Sequence, residues 1–488
     1  MVLAAIIALS SIVQTSHASS YSPTQTLGQG GVFPVNGLAG DAFGQVVTFN
    51  KEYLFVSSPG SQPNNKSIAG AVFVYRREGG QYQQTQVITT GGTGDHLGML
   101  QILAEGEWLA LGVIGTPVGP QTNDAIADQD FRGAVLIYRL DSGGQWQLVQ
   151  TLDSTTPGLQ GLSSIENGGL PVFATEQGAD LGLRMALDAE QGWLFVSALY
   201  QAGVDGQNAV VRNAGKVYAF QLERASGVWK FAQGFTNPDG PALNDGFGAA
   251  VAVKGRHVMI GNGPIAQGPH PDANCAVYVY RTSDAGWQYV QRLTGSQTDL
   301  TPFFFPQMNP VPGNIGDSFG NAIALDTEHA VITAPLESRE VPGAIFTGAA
   351  YFYRLKRNGG EERWVLTQRV ESSDPNSFAF GAFSVALDGQ TAVIGDLGWT
   401  GAAAAFQGAA HVYRRTANTW EKLTTLSDPL GTTSAGFGTS VALGPDGQLA
   451  IGSSPFLGFF LPVIFRPPPA VGPPVAPGKV IVYQRTDN

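Results

Sequence analysis

Four aspartates share one setting in the sequence. Asp41, Asp95, Asp245 and Asp317 each stand two residues ahead of the aromatic or leucine of a Phe-Gly or Leu-Gly pair, and Asp180 stands one position closer. If the pairs recur at equivalent places in the fold, the carboxylates form a ring, and a ring of carboxylates can hold a cation or an amine. An aspartate in such a turn also accepts hydrogen bonds from nearby backbone amides, which would make each a local brace. The sequence leaves both roles open.

A second kind of chemistry is apolar. The segments Thr301–Pro306 and Pro455–Arg466 concentrate Phe303, Phe304, Phe305, Phe456, Phe459 and Phe460 among prolines, and proline discourages regular strand pairing. These rings must cover something, either the protein's own surface or a partner.

Catalysis finds less support. His96 and His270 stand in connecting segments, whereas His257, His329 and His411 belong to apolar runs or their ends. Asp95 and His96 are adjacent, and adjacent strand residues point to opposite faces, so they form no dyad. No nucleophile elbow, phosphate loop or dinucleotide fingerprint opens a helix after a strand. The single Cys275 and the scattered histidines lack the spacing of zinc ligands, and one cysteine closes no internal disulfide. The expectation is therefore no catalytic residue, no metal and no cofactor.

What must position these residues follows from composition and repetition. The chain has 488 residues, of which 43% are apolar and 13% charged, with a net charge of −11. Such a surface repels phosphate backbones, so a nucleic-acid partner is excluded. The 64 glycines and 30 prolines signal many turns without reaching the level of a disordered tract. Residues 1–18 carry a short apolar run ending at Ser16-His17-Ala18, the pattern of a secretory signal peptide, although no Lys or Arg precedes the run. Elsewhere no uninterrupted stretch of about 18 apolar residues occurs, which predicts no membrane span in the mature chain.

Three phrases recur seven times in fixed order. The first is the Phe-Gly or Leu-Gly pair, at Gly44, Gly98, Gly182, Gly248, Gly320, Gly381 and Gly438. A period-2 apolar run, a tight turn and a second run follow each, which predicts a hairpin. The third phrase, a small residue and alternating apolar residues ending in an aromatic, lies at 70–75, 133–138, 215–220, 275–280, 348–353, 408–413 and 478–483. Six of these lead into a further strand with an aromatic, a polar residue four later and an apolar residue six later, as in Trp229, Gln233 and Phe235. The seventh lacks it, and Tyr21, Gln25 and Leu27 supply the same spacing from the N-terminal end. Residues 19–488 thus predict an all-β, seven-bladed β-propeller of four-stranded antiparallel blades, closed by an N-terminal strand that completes the last blade. Radial packing covers both faces of each small sheet and leaves only short edges.

Gly40-Asp41-Ala42-Phe43-Gly44 with Gly70-Ala-Val-Phe-Val-Tyr75, and Gly316-Asp317-Ser318-Phe319-Gly320 with Ile332-Thr-Ala-Pro335, resemble the FG-GAP repeat of the integrin α-subunit propeller and of secreted bacterial proteins. The resemblance covers Tyr21 to Tyr483. It implies calcium sites of the form D-x-D/N-x-D-G-x-x-D between the first two strands of a blade. The corresponding turns, among them Glu105-Gly106-Glu107, Asp326-Thr327-Glu328 and Leu387-Asp388-Gly389-Gln390, carry too few carboxylates, so calcium binding is not carried over.

With the strands of a blade named A to D from the axis outward, alternation puts A–B and C–D turns on one face and B–C and D–A connections on the other. The long connections, at 117–132, 153–178, 199–214, 294–316 and 456–477, all fall on the second face. Long loops on a rigid scaffold are where binding resides. The sequence therefore points to a secreted, periplasmic or cell-surface binding module that meets a protein or glycan at its loop-rich face. A polysaccharide lyase or hydrolase with its site at the mouth of that face, and a structural subunit docking through its aromatic loops, are the alternatives.

Overall fold

Hydrophobic alternation along each run makes a strand with two apolar-capable faces, and four such strands pair into one sheet. In the computed structural model this happens seven times. The structure describes residues 21–28, 42–61, 69–89, 95–99, 101–113, 132–162, 179–263, 275–295, 317–337, 347–374, 377, 380–400, 407–429, 436–454 and 478–486. Blade 4 is representative: strands A to D are Phe247–Lys254, His257–Asn262, Ala276–Ser283 and Gly286–Thr294, paired in that order and antiparallel throughout. The A strands touch their neighbours from blade to blade, blade 7 to blade 1 included, and so ring the axis. No helix among the described residues is long and apolar enough to cross a membrane.

Closure is as expected from the spacing of Tyr21, Gln25 and Leu27. Tyr21–Gly28 is strand D of blade 7, running antiparallel to Lys479–Arg485 with Tyr21 opposite Arg485 and Gly28 opposite Lys479.

Apolar side chains form one core at each of the seven interfaces between blades. The D strands explain how a single strand feeds two of them. In a regular strand, residues six apart share a face. Here every C–D pairing carries a one-residue bulge, between Val74 and Tyr75 in blade 1, Val279 and Tyr280 in blade 4, and Pro23 and Gln25 in blade 7, for example. The bulge reverses the faces. Trp229 therefore packs toward blade 2 with Trp108 and Leu194, while Phe235 packs toward blade 4 with Phe247 and Ile260. Trp146 and Leu152, Trp287 and Leu293, and Tyr21 and Leu27 divide in the same way.

The polar residue four after the aromatic follows the second face. Its amide donates to the carbonyl, and accepts from the N–H, of the aromatic residue in the next D strand. Gln86 does this to Trp146 at 2.9 Å both ways, and Gln150, Gln233, Gln291 and Gln368 repeat it on Trp229, Trp287, Trp364 and Trp420. Gln25 closes onto Tyr82 at 2.9 and 2.7 Å. Edge-strand backbone groups that would otherwise meet water or another sheet are thereby satisfied within the ring.

Candidate functional site

The Phe-Gly or Leu-Gly pair lies at the loop-rich end of each A strand, opening it in blades 3, 4, 6 and 7 and preceding it by a few residues in blades 1, 2 and 5. The residue before the aromatic takes a left-handed backbone at Ala42, His96, Asp180, Gly246, Ser318 and Gly436, and the glycine after it is left-handed as well. This double turn drives the aromatic under its own blade: Phe43 meets Phe73 edge-on at 5.4 Å, Phe247 meets Tyr278 at 5.8 Å and Phe319 meets Tyr351 at 5.2 Å. The N–H of the aromatic or leucine reaches back to the preceding blade, as in Phe247 to Ala214 O at 3.0 Å and Leu181 to Arg132 O at 2.8 Å.

The aspartates sit at these turns. Asp95, Asp245 and Asp317 are all buried, at the loop-rich ends of the A strands of blades 2, 4 and 5. Asp245 accepts from Asn262 Nδ2 at 2.6 Å and Asn237 Nδ2 at 2.7 Å, and Asn262 Oδ1 in turn accepts from Ala276 N at 2.7 Å. One carboxylate thus ties a D–A connection to the ends of strands B and C. Asp317 Oδ1 accepts from Phe319 N at 3.0 Å, an Asx-turn. Burial holds Asp180 well above the usual carboxylate range. Among the described residues no three His, Cys, Asp or Glu side chains gather as a metal site would need. Asp41, Phe303, Phe304, Phe305, Phe456, Phe459, Phe460, His270 and the signal segment 1–18 lie outside the described residues.

Burial, with the Glu337 charge adding to it and the Phe319 amide opposing, lifts Asp317 from 3.8 to about 6. A folded-state value above the unfolded one means that the native protein takes up its proton first as pH falls. Stability contributed by this group therefore rises between pH 7 and 4 and is lost above pH 6. Asp317→Asn keeps the acceptor for Phe319 and removes the charge. We expect it to stabilise the protein by about 3 kcal/mol at pH 8 and by little at pH 4, measured as denaturant midpoints. A loss of stability at pH 8 would show that the carboxylate is needed charged, as a cation site requires.

Sequence patterns did not single out a set of polar clusters at the same end of blades 4 to 7. Tyr278 OH donates to Asp239 Oδ2 at 2.8 Å, and Arg292 Nε lies 3.0 Å from the same oxygen. One blade on, Tyr351 OH and Arg369 both engage Glu337, with Glu371 2.7 Å from the Arg369 Nη1. In blade 6, Asp396 Oδ2 takes His411 Nε2 at 3.0 Å and the Ser372 hydroxyl at 2.5 Å, and Ser377 holds its other oxygen. Lys479 of blade 7 pairs with Asp428 at 2.7 Å. A signal was nonetheless present: the third C-strand residue changes from Phe73 to Tyr278, Tyr351 and His411, and arginine appears five residues after the D-strand tryptophan in blades 4 and 5.

The remaining histidines do not form a catalytic pair with these. Burial draws His96 down to about 4, leaving it neutral at pH 7. His257 lies 3.4 Å from Glu362 and edge-on to Trp364, and His329 lies 3.4 Å from Asp326, at the short-turn face. Cys275 is buried at the small-residue position of the third phrase, as its spacing predicts.

The short-turn face is used for bracing. Asn50 exchanges two hydrogen bonds with Gly106, Glu105 Oε2 accepts from Ala189 N at 2.7 Å, and Asp188 Oδ2 accepts from Gly255 N at 2.7 Å. Each of these A-strand ends thereby grips the next A–B turn. The connections on the opposite face, by contrast, include a small extra hairpin, Gly203–Val204 with Val210–Val211, in which Val204 and Val210 are exposed.

No family profile and no curated protein matches the chain. Among solved structures it is similar to the X-ray structure of a hypothetical selenium-binding protein from Sulfolobus tokodaii, at 10% identity and a TM-score of 0.43, over 77% of this chain and 75% of that one. That likeness is too slight to argue from, and the propeller rests on the strand topology itself.

Proposed function

We propose that the protein is a binding module of FG-GAP type that works outside the cytoplasm and presents its loop-rich face to a protein or glycan. The observation that carries this reading is the division of labour between the two faces. Every A–B turn closes within four residues and three of the turn ends brace the neighbouring blade, so that face is committed to the fold. The other face carries every long connection, and from blade 4 to blade 7 charged clusters, fully buried only at the His411–Asp396 pair of blade 6, anchor the strand ends beneath it. A rigid base under variable loops is the arrangement in which loops can recognise a partner at small entropic cost.

The aromatic connections are the proposed anchors. Replacing Phe304 and Phe460 with Ser should leave the melting temperature nearly unchanged and weaken binding to the ligand found on glycan and protein arrays by roughly 2 kcal/mol or more per ring. Destabilised variants with unaltered binding would assign those rings to the propeller's own cover instead.

A further inference from the structure

The polar clusters at the loop-rich end of blades 4 to 7 differ in what they leave open. Glu337 is 1% exposed and is engaged by Tyr351 and Arg369. Asp396 is fully buried under His411, Ser372 and Ser377, and the carboxylate of Asp428 is fully buried with both oxygens on Lys479. Blade 4 is the open case. Tyr278 OH and Arg292 Nε both meet Asp239 at Oδ2, at 2.8 and 3.0 Å, while the Asp239 and Arg292 side chains stay 51% and 34% exposed. One carboxylate oxygen and the outer edge of the guanidinium are thus left to solvent.

An exposed aromatic stands beside this pair. On strand D, Tyr289 lies opposite Tyr280 and Arg292 opposite Tyr278, so the four side chains share the sheet face that blade 4 turns toward blade 3. Tyr278 and Tyr280 are buried and meet the Tyr289 ring at 6.2 and 5.8 Å, yet Tyr289 remains 45% exposed. Burial raises the Tyr289 phenol, the Asp239 charge adds to this and the Arg292 charge opposes it, which puts both charges near the ring. No other blade repeats the set. The residue at the Tyr289 position is Gln84, Leu148, Leu366, Lys422 or Pro23, and where it is a ring, Phe231, Gly234 stands in place of Arg292. The carboxylate is also held in place. Asp239 N donates to Asn237 Oδ1 at 2.9 Å and Gly240 N to Asn237 O at 3.0 Å, while Asn237 Nδ2 is itself fixed on the buried Asp245 at 2.7 Å. A side chain set in this way loses little freedom when a ligand arrives.

We propose that this corner of blade 4 is a glycan subsite, in which the C–H face of a neutral pyranose lies on the Tyr289 ring and its hydroxyls bond Asp239 and Arg292. A pyranose has an apolar face and a rim of hydroxyls that both donate and accept. An exposed ring supplies the surface for the face. A carboxylate acceptor next to a guanidinium donor serves the hydroxyls with charge-assisted bonds. The two opposite charges cancel, which suits a neutral sugar better than an acidic or basic one. The subsite rests on the reading of the loop-rich face as a binding surface, since Asp239 belongs to a D–A connection of that face, and it narrows the partner there to a glycan.

The test titrates the full chain calorimetrically with short oligomers of glucose, mannose, galactose and xylose, and with oligogalacturonate as the acidic counterpart. At least one neutral oligomer should bind. Tyr289→Ala and Asp239→Asn should each weaken that binding at least about tenfold, whereas Tyr289→Phe, which keeps the ring, should change it less than about threefold. Both residues are exposed, so the variants should melt close to the wild type. Should Asp239→Asn not fold, Arg292→Gln is read in its place. Failure of every neutral oligomer to bind, tighter binding of oligogalacturonate, or unchanged binding by Tyr289→Ala overturns the subsite. Phe304→Ser and Phe460→Ser, titrated alongside, keep the two readings apart. Sugar binding that these variants lose and Tyr289→Ala retains overturns the subsite while upholding the aromatic loops as anchors. Sugar binding that depends on Tyr289 and not on the loop rings upholds the subsite and counts against those anchors.

Discussion

A chain lacking Tyr21–Leu27 is expected to melt far below the intact protein, with a loss of at least about 5 kcal/mol. The deletion removes a whole ladder from Lys479–Arg485, together with the bond from Thr24 Oγ1 to Val482 O at 3.2 Å. It also empties two cores at once, because Tyr21 is buried between blades 6 and 7 and Leu27 between blades 7 and 1. Truncating a single buried large side chain costs about 2–5 kcal/mol, and here two are lost along with the Gln25 clamp on Tyr82. Calorimetry gives the loss. Hydrogen exchange should locate it in Val480–Tyr483, whose amides become an open edge. A peptide spanning residues 19–28 added in trans should restore part of the protection, and an unaltered melting temperature would refute strand-swapped closure.

Gly408→Ala is expected to cost about 3–5 kcal/mol although it adds one methyl group. Gly408 opens the third phrase of blade 6 with φ +81, a left-handed conformation that costs an alanine about 1–2 kcal/mol. The greater part of the loss is steric. Gly408 forms a parallel bridge to Phe437 of blade 7, and a Cβ there would collide with the Phe437 carbonyl and lie 2.8 Å from its amide nitrogen. Backbone on both sides must shift, and the buried Phe437 must move with it. Gly389 is the internal control: it is left-handed too, at φ +49 in the A–B turn of the same blade, but a Cβ there meets nothing within 4 Å. Gly389→Ala should therefore cost about 1 kcal/mol. Equal losses in the two variants, measured by denaturant unfolding, would defeat the close-approach argument. Blade 4 shows how the position tolerates a side chain, since Cys275 stands there without a left-handed backbone.

The glycine and aromatic phrases were legible because they answer to local and repeated constraints. A left-handed turn favours glycine, a strand demands alternation, and sevenfold recurrence turns a weak pattern into an architecture. Strand order, the closing strand and the face carrying each connection follow from those constraints alone. The D-strand bulge did not, for a physical reason: alternation of two residues looks the same whether or not an extra residue is inserted between them. Only the pairing to strand C shows that Trp229 and Phe235 face different blades. The glutamine four residues later was visible as a spacing, but its use as a clamp needs the neighbouring blade in place. The aspartates gave a similar lesson, since sequence puts them at equivalent turns while only packing decides that Asp245 spends both oxygens on asparagine amides. Folding also gives Lys254, Arg292, Arg369 and Lys479 each a carboxylate from another stretch of the chain, a pairing that no single segment displays.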